Sequence, residues 1–121
     1  MEEKVLKIIR DLGLEEKVII SSFNHYSINK IKELSTNIKR GILYYSALYK
    51  PWKYALSLDV DAIHPHFNTV NKEIVKKAHE NGIKIVVYGA NKEKDLEYLI
   101  DNNVDMIITD YPKKAIKIRD K

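Results

Sequence analysis

Apolar residues along this chain alternate between the spacing of a helix and the spacing of a buried strand. In residues 1–14 the apolar positions are three and four residues apart, which predicts an amphipathic helix that ends near Gly13. The continuous β-branched run at residues 18–20 predicts a strand covered on both faces, as in a parallel sheet. Polar residues follow, and Asn24 is expected to cap a second helix.

The same strand-then-helix pattern returns four more times. Further strands are predicted at residues 41–45, 62–63, 83–88 and 104–109, and further helices through residues 54–58, 74–78, 96–100 and 115–118. Residues 46–53, with Pro51 and Trp52, are predicted to form a longer loop. Isoleucines at positions 19, 42, 63, 85 and 107, one from each strand, are 23, 21, 22 and 22 residues apart. This regular repeat predicts a parallel sheet with helical crossovers.

Two architectures fit such a repeat, an open doubly wound sheet and an arc of a (β/α)8 barrel. The units are uniform and lack the glycine-rich phosphate loop of dinucleotide-binding sheets, which favours the arc. A complete barrel usually takes about 200 residues or more, and this chain has 121. We therefore predict an α/β fold of five parallel strands alternating with helices, an incomplete TIM-type barrel, with residues 1–121 as a single domain.

Composition narrows the range of functions. The chain is 45% hydrophobic and 31% charged, and its net charge of +4 is scattered over predicted helix surfaces, so we expect no nucleic-acid partner. Because the chain has no cysteine, thiolate metal sites and cysteine nucleophiles are excluded. No segment is apolar enough for a signal peptide or a membrane span, and a cytoplasmic location is expected.

Four motifs occur in a fixed order along the chain. They are SSF at residues 21–23, HPHF at 64–67, VVYGAN at 86–91 and VDMIITDYP at 104–112. KAHENGIKI and LIDNNVD occupy the expected places before the last two strands. In this order and spacing the motifs resemble the C-terminal part of the glycerophosphodiester phosphodiesterase family, and the chain would correspond to roughly the last five β/α units of its barrel.

The resemblance implies a barrel that hydrolyses glycerophosphodiesters in lipid metabolism. In the complete family barrel a divalent metal ion, Mg²⁺ or Ca²⁺, binds the phosphate, and a histidine pair does acid and base work. The family's His-Arg-Gly, Glu-x-Asp, His-Asp and Glu-x-Lys motifs belong to strands upstream of the first helix, and none has a counterpart at a strand end in this chain. We therefore assign no catalytic residue, no metal ligand and no cofactor to this chain alone, and we expect it to be inactive by itself.

Active sites of such barrels lie at the carboxyl ends of the strands. The candidates there are Ser22, Phe23, Tyr45, His64, His66, Tyr88, Asn91, Thr109 and Asp110. For substrate binding we select Phe23 as an apolar wall, His64 as a group facing a substrate phosphate, and Tyr88. Tyr88 stands where the family usually has tryptophan in a Trp-Thr-Val-Asn phrase, and the next two residues also depart from that phrase.

Structural roles remain open for most of these candidates. Asn91 and Asp110 are expected to cap helices, and Ser22 to satisfy backbone groups. We expect His64 and His66 to point to opposite faces of the sheet unless Pro65 disturbs the pleat, so that they would not bind one metal ion together.

Histidines and an aromatic residue outside the strand ends also have structural interpretations. His25 and His79 are expected on helix surfaces. Trp52 is interpreted as a lid residue or as cover for an open sheet edge.

Three functions stay open. The chain is a partial or degenerate phosphodiesterase, a subunit that completes a split barrel, or a non-enzymatic domain that binds a phosphate or a partner protein. In the last case the predicted helix starts at Asn24, Thr69, Asn91 and Asp110 would offer backbone amides to an anion. An open arc leaves unpaired edges, so self-association or a partner chain is expected, with a glycerophosphodiester or phosphate as ligand.

Overall fold

The computed structural model describes residues 2–35 and 37–121, which form six α-helices, one 3-10 turn and five strands. In chain order they are α1 Glu2–Asp11, β1 Ile19–Ser22, α2 His25–Leu34, β2 Lys39–Tyr44, α3 Pro51–Leu58, β3 Ala62–Pro65, the turn Phe67–Thr69, α4 Lys72–Glu80, β4 Lys84–Tyr88, α5 Glu93–Asp101, β5 Met106–Ile108 and α6 Pro112–Arg119. Met1, where the first predicted helix begins, lies outside the described residues. The predicted alternation of strands and helices is confirmed.

The strands form one parallel sheet in the order β1-β2-β3-β4-β5. Crossovers between parallel strands are right-handed, so a sheet that always adds its next strand on the same side keeps its helices on one face. A doubly wound sheet reverses its strand order instead. The sequential order therefore confirms the barrel arc and rules out the doubly wound alternative.

The main core lies between the sheet and its helices. Fully buried strand residues on this face are Ile42, Ile63, Ile85 and Val87, and they pack with Ile28, Ala55, Ala78, Leu96 and Leu99 from the helices. Alternate strand positions point to the opposite, concave face, which in a complete barrel is the interior. The sheet thus has one closed face and one face that the arc leaves partly open.

Local polar residues explain where several helices begin. The Asn24 side chain accepts hydrogen bonds from two backbone N–H groups at the start of α2, and Asn71 accepts one at the start of α4. The loop predicted for residues 46–53 is too long, because α3 begins at Pro51, a residue suited to the first helical turn. Trp52 is buried in the main core and is therefore neither a lid nor an edge cover.

Two aspartates hold the amino ends of neighbouring strands together. The Asp61 carboxylate accepts a hydrogen bond of 2.8 Å from the Arg40 backbone N–H. The Asp105 carboxylate accepts one of 2.8 Å from the Ile85 N–H and lies 2.7 Å from the His79 ring. Each aspartate follows a valine and precedes a strand, so a Val-Asp pair marks the start of both β3 and β5. His79 is thus a linking residue as well as a surface residue.

A buried arginine joins β2 to two helices. The Arg40 guanidinium donates hydrogen bonds to the backbone carbonyls of Ile28 and Leu58, at 3.2 and 3.4 Å, and to that of Asp59. Leu58 is the last residue of α3, where the helix dipole favours a positive charge. These carbonyl groups compensate the burial of the charge and fix α3 against the sheet.

Tyr44, near the carboxyl end of β2, carries a buried hydroxyl group on the helix-covered face. This oxygen has no hydrogen-bond partner among the described residues. Burial raises the pKa of the Tyr44 phenol well above its ordinary value. An unpaired buried hydroxyl is unfavourable for folding, because the unfolded chain hydrates it.

We expect Tyr44→Phe to raise the free energy of unfolding by about 1 kcal/mol, since it removes only the unpaired oxygen. The matched control is Tyr88→Phe, because the Tyr88 hydroxyl donates a hydrogen bond of 3.0 Å to the Tyr44 carbonyl. That variant is expected to lose about 1 kcal/mol. Urea unfolding followed by circular dichroism measures both values, and a loss of stability in Tyr44→Phe would contradict the prediction.

Candidate active-site rim

Aromatic side chains follow several neighbouring strands at the carboxyl edge of the sheet. We call Phe23, Tyr45, His66, Phe67 and Tyr88 the aromatic rim. The His66 ring lies 4.8 Å from that of Tyr45, 4.7 Å from that of Phe67 and 5.3 Å from that of Tyr88, between ring centroids. Phe23 meets Tyr88 edge-on at 6.2 Å.

The contact between Phe23 and Tyr88 spans the concave face of the arc. Phe23 follows β1 and Tyr88 ends β4, so two strands lie between them. In a flat sheet with strands about 4.8 Å apart, the backbones would be separated by about 14 Å. The curvature of the sheet helps these two side chains to meet, and it gathers the ends of distant strands into one surface.

Tyr88 is oriented by its own hydroxyl group. The hydroxyl donates a hydrogen bond of 3.0 Å to the Tyr44 carbonyl, across β3. Partial burial raises the pKa of the Tyr88 phenol, so it stays a neutral donor at physiological pH. Tyr88 can therefore present a fixed ring face toward the mouth of the arc.

His64 lies below the rim, on the concave face of β3. It is only 5% exposed, and neither ring nitrogen has a hydrogen-bond partner among the described residues. Its ring passes over Gly41 of β2, where a Cβ atom would overlap the imidazole. Desolvation by burial lowers the pKa of His64, which favours the neutral imidazole.

The expectation that His64 and His66 point to opposite faces is wrong. Side chains in a strand alternate with a period of two, so residues two apart share a face. His66 pairs with Tyr88 in a parallel bridge beyond the end of β3 and contacts the Tyr88 ring, while His64 lies over Gly41 on the same concave face. Pro65 ends the strand without reversing this alternation.

The close contact between Gly41 and His64 predicts that substitutions at these two positions have non-additive effects on the free energy of unfolding. Gly41→Ala is expected to lower the free energy of unfolding by about 1–3 kcal/mol, because the new methyl group overlaps the imidazole. In a His64→Ala background the same substitution should have an effect of less than about 1 kcal/mol. Urea unfolding of the four chains measures the coupling. Equal losses in both backgrounds would show that His64 is not the obstacle.

His64 also predicts how stability depends on pH. Its folded-state pKa is lowered, so the unfolded chain binds the proton more readily and stability falls as pH falls through about 6.5. When the pH is lowered from 7.5 to 5.5, the melting temperature of His64→Gln should therefore decrease by less than that of the parent chain. Val86→Ala, a buried non-ionisable site on β4, is the control for lowered stability alone. An unchanged pH dependence in His64→Gln would contradict the prediction.

Asn91 and Asp110 do not cap helices, contrary to the expectation. The residues at the cap positions of α5 and α6 are Lys92 and Tyr111. Instead, the Asn91 side chain donates a hydrogen bond to the Asp110 carboxylate at 3.1 Å and accepts one from the Thr109 hydroxyl at 2.8 Å. This network ties the loop after β4 to the end of β5.

Other candidates have structural roles. The Ser22 hydroxyl accepts a hydrogen bond from the Asn24 N–H, as expected for backbone satisfaction. His25 is more than a helix-surface residue, because its ring nitrogens lie 2.8 Å from the Leu43 carbonyl and 2.8 Å from the Tyr54 hydroxyl. The carbonyl can only accept, so Nε2 of His25 donates to it, and in the neutral ring Nδ1 accepts from the Tyr54 hydroxyl.

Metal ligation does not fit the residues that the structure describes. Within residues 2–35 and 37–121 there is no group of three or more His, Asp or Glu side chains placed to hold a metal ion. The Asp110 carboxylate is hydrogen-bonded to Asn91. What the rim offers is aromatic surface, with one buried imidazole beneath it.

Comparison with known proteins places this arrangement in a family. Residues 1–114 match the model of the glycerophosphoryl diester phosphodiesterase family. The chain belongs to this family. It matches the C-terminal part of the family's proteins, so the resemblance found in its motifs is confirmed.

Relatives and solved structures agree with this placement. A glycerophosphodiester phosphodiesterase of Caldanaerobacter subterraneus subsp. tengcongensis is 38% identical over 118 residues, which are 98% of this chain and 49% of the relative. The structure of a putative family member from Silicibacter pomeroyi matches with a TM-score of 0.93 at 21% identity, over 98% of this chain and 43% of that one. A phosphodiesterase of Oleispira antarctica, solved with the product sn-glycerol-3-phosphate, matches with a TM-score of 0.82 at 22% identity, over 99% of this chain and 50% of that one. The chain thus spans about half the length of these proteins.

Among the described residues, no helix is long and apolar enough to cross a membrane.

Tyr45 and His66 also lie on the aromatic rim, although neither is among the residues that the sequence predicts to bind substrate. Their position directly after β2 and β3 was the available signal, but nothing in the sequence showed that their rings would meet.

Proposed function

We propose that this chain is a partial glycerophosphodiester phosphodiesterase that contributes a substrate-binding surface and lacks the catalytic apparatus. In this proposal residues 1–121 form a single domain equivalent to the last five β/α units of the barrel. Its substrates are glycerophosphodiesters of lipid metabolism, and its location is the cytoplasm. The observation that carries the proposal is the aromatic rim, formed at the edge where barrels of this type bind their ligands.

The aromatic rim supplies apolar surface for the carbon skeleton of a substrate. The Phe23 side chain is 60% exposed and meets Tyr88 edge-on, so two ring surfaces border the concave face. Such surfaces suit the carbon atoms of glycerol or of the esterified alcohol. The product complex of the Oleispira antarctica phosphodiesterase supports glycerol phosphate as the ligand to test.

His64 is proposed to face the phosphate from below the rim. Its two ring nitrogens lack partners among the described residues, and burial favours the neutral form. A neutral imidazole donates one hydrogen bond to a phosphate oxygen without adding a charge. Binding through His64 would therefore give orientation more than affinity.

Hydrolysis needs groups that the described part of this chain does not provide. A divalent metal ion, Mg²⁺ or Ca²⁺, is expected in the complete family barrel, where it would neutralise the charge of the phosphodiester. No cluster of acidic or histidine side chains among the described residues fits such an ion. The chain alone is therefore proposed to bind without hydrolysing.

Titration of the ¹⁵N-labelled chain with sn-glycerol 3-phosphate tests the binding surface. We expect the backbone amide signals of Phe23, His64 and Tyr88 to change their chemical shifts. Phe23→Ala should raise the dissociation constant about tenfold, because it removes about 1.4 kcal/mol of aromatic contact with the ligand. Tyr26→Ala is the matched control, because Tyr26 is 90% exposed and outside the aromatic rim.

The same preparation tests the lack of activity. We expect no hydrolysis of glycerophosphocholine with Mg²⁺ or Ca²⁺ present. Turnover by the chain alone would overturn the claim that it is catalytically incomplete. Absence of shifts at the aromatic rim, or equal weakening by Tyr26→Ala, would overturn the binding surface.

A further inference from the structure

We propose that one end of this molecule, which we call the carboxyl-end surface, binds to an anionic lipid bilayer. It comprises the loop after each strand and the first turn of the helix that follows, residues 23–28, 45–54, 66–75, 89–96 and 109–115. Three features carry the inference: exposed aromatic side chains, lysines outside ion pairs, and the opposite charge at the other end of the sheet. The inference goes beyond the proposed function and does not depend on it.

Exposed aromatic side chains are concentrated on this surface. Among the described residues seven Phe or Tyr side chains are exposed, and six belong to the carboxyl-end surface: Phe23, Tyr26, Tyr45, Tyr49, Tyr54 and Tyr111. The seventh, Tyr98, lies on α5. Tyr26 is 90% exposed and Tyr49 is 87% exposed, so these rings add almost nothing to the core. Tyrosine suits the boundary between water and hydrocarbon, where its ring contacts apolar groups and its hydroxyl stays hydrated.

Lysines lie among these aromatic residues. The carboxyl-end surface carries four carboxylates and seven lysines, which are Lys50, Lys53, Lys72, Lys92, Lys94, Lys113 and Lys114. Among the described residues none of the seven forms an ion pair. The Lys50 Nζ lies 5.1 Å from the centroid of the Tyr49 ring, and the Lys114 Nζ lies 4.6 Å from that of Tyr111. Cationic and aromatic groups are thus presented together, as at a membrane–water interface.

The opposite end of the sheet has the opposite charge. The loops that precede the strands, residues 12–18, 35–38, 59–61, 81–83 and 102–105, hold five carboxylates and one lysine. They contain no aromatic residue. Seven lysines against four carboxylates give the carboxyl-end surface a net charge of +3, whereas these loops have a net charge of −4. An anionic surface would therefore attract one end of the molecule and repel the other.

The carboxyl-end surface is broad enough to contact an extended partner. The strands are parallel, so the loops that follow them lie along the same edge of the sheet. Four spacings of about 4.8 Å spread the five strand ends over about 19 Å. Helices α2 to α6 all begin at this edge, and the positive ends of their dipoles add to the lysine charge. A bilayer offers negative charge across such a width, whereas one small anion would contact only a part of it.

Residue types favour lipid over nucleic acid as this partner. Arginine is the residue that most often makes specific contacts with bases, and none of the three arginines of this chain belongs to the carboxyl-end surface. Tyr26 follows β1 and Tyr111 follows β5, so the aromatic residues extend across the whole arc instead of following one groove. Tyrosine with lysine is the combination that anchors proteins at the bilayer surface.

Cosedimentation of the full chain with lipid vesicles tests the proposal. Vesicles of equal parts phosphatidylglycerol and phosphatidylcholine should bind the chain at least about tenfold more tightly than vesicles of phosphatidylcholine alone, because lysines near an anionic surface are attracted to it. A higher salt concentration should weaken the binding, because it screens this attraction.

A matched pair of double variants locates the contact. Lys53→Glu with Lys113→Glu changes the carboxyl-end surface, whereas Lys76→Glu with Lys117→Glu makes the same change of net charge at exposed positions farther along α4 and α6. The first pair should weaken binding to the phosphatidylglycerol vesicles at least about tenfold. The second pair should weaken it by less than about threefold, because its charges lie farther from the lipid.

The aromatic contribution has its own matched pair. Tyr49→Ala should weaken binding at least about threefold, because it removes a ring at the lipid surface. Tyr98→Ala, on α5 outside the carboxyl-end surface, should leave the affinity within about twofold.

A fluorescent label reports the orientation of the bound chain. The chain has no cysteine, so Ser46→Cys and Ser57→Cys each provide a single labelling site. Both serines are exposed, Ser46 in the loop before α3 and Ser57 near the other end of that helix. A dye whose emission shifts to the blue in apolar surroundings should shift on vesicle binding at position 46 and stay unchanged at position 57.

The inference is wrong if the chain does not sediment with the anionic vesicles or binds phosphatidylcholine equally well. Equal weakening by both double variants, equal effects of the two tyrosine substitutions, or equal dye shifts at the two labelled positions would also contradict it. Tighter binding of an oligothymidylate than of the vesicles would assign the surface to single-stranded nucleic acid instead. A chain that binds the vesicles but not sn-glycerol 3-phosphate would refute the proposed function alone.

Discussion

Parallel pairing of strands in strict chain order is the constraint on which the rest of this structure depends. Each added strand continues the sheet on the same side, and right-handed crossovers keep every helix on one face. One face of the sheet therefore becomes a closed core of isoleucine, valine and leucine. The other face stays concave and partly open. The aromatic rim borders this open, concave face.

The curvature of the sheet brings residues that are distant along the chain together on one surface. Phe23 and Tyr88 are separated by 65 positions, yet their rings meet at 6.2 Å. Tyr45 and His66 join them because each follows a strand of the same sheet. Beneath this aromatic rim, Gly41 leaves room for the buried His64 ring. The combination places an apolar surface above one buried imidazole.

Side chains are more completely packed and hydrogen-bonded in the core of the arc than at the β5 end. Arg40 and Asp61 link β2 and β3 in the middle of the sheet, and their polar groups are well paired. At the β5 end, by contrast, the strand is short and partly exposed, and a groove runs beside it. The described residues therefore pack more completely in the middle of the sheet than at the β5 end.

The sequence by itself determined the repeat, the fold class and the family. The spacing of about 22 residues between strand isoleucines and the order of the motifs were sufficient, because periodicity and turn residues are local properties of the chain. The start of α3 differs from the predicted loop at residues 46–53, although Pro51 is a residue type that suits the first helical turn. The helix cap at Asn24 follows from residue type alone. For α4 the residue types allow Thr69 or Asn71 as the cap, and the structure shows Asn71.

Only the tertiary structure decided how the site is assembled. Asn91 and Asp110 are residue types that commonly cap helices. In this structure they lie at neighbouring strand ends and are hydrogen-bonded to each other instead. Whether the His64 side chain is covered and whether the His66 ring contacts Tyr88 depend on the register of β2, β3 and β4, which no local pattern reveals. Residue type predicts what a side chain prefers. Strand register and sheet curvature decide which partner is within reach.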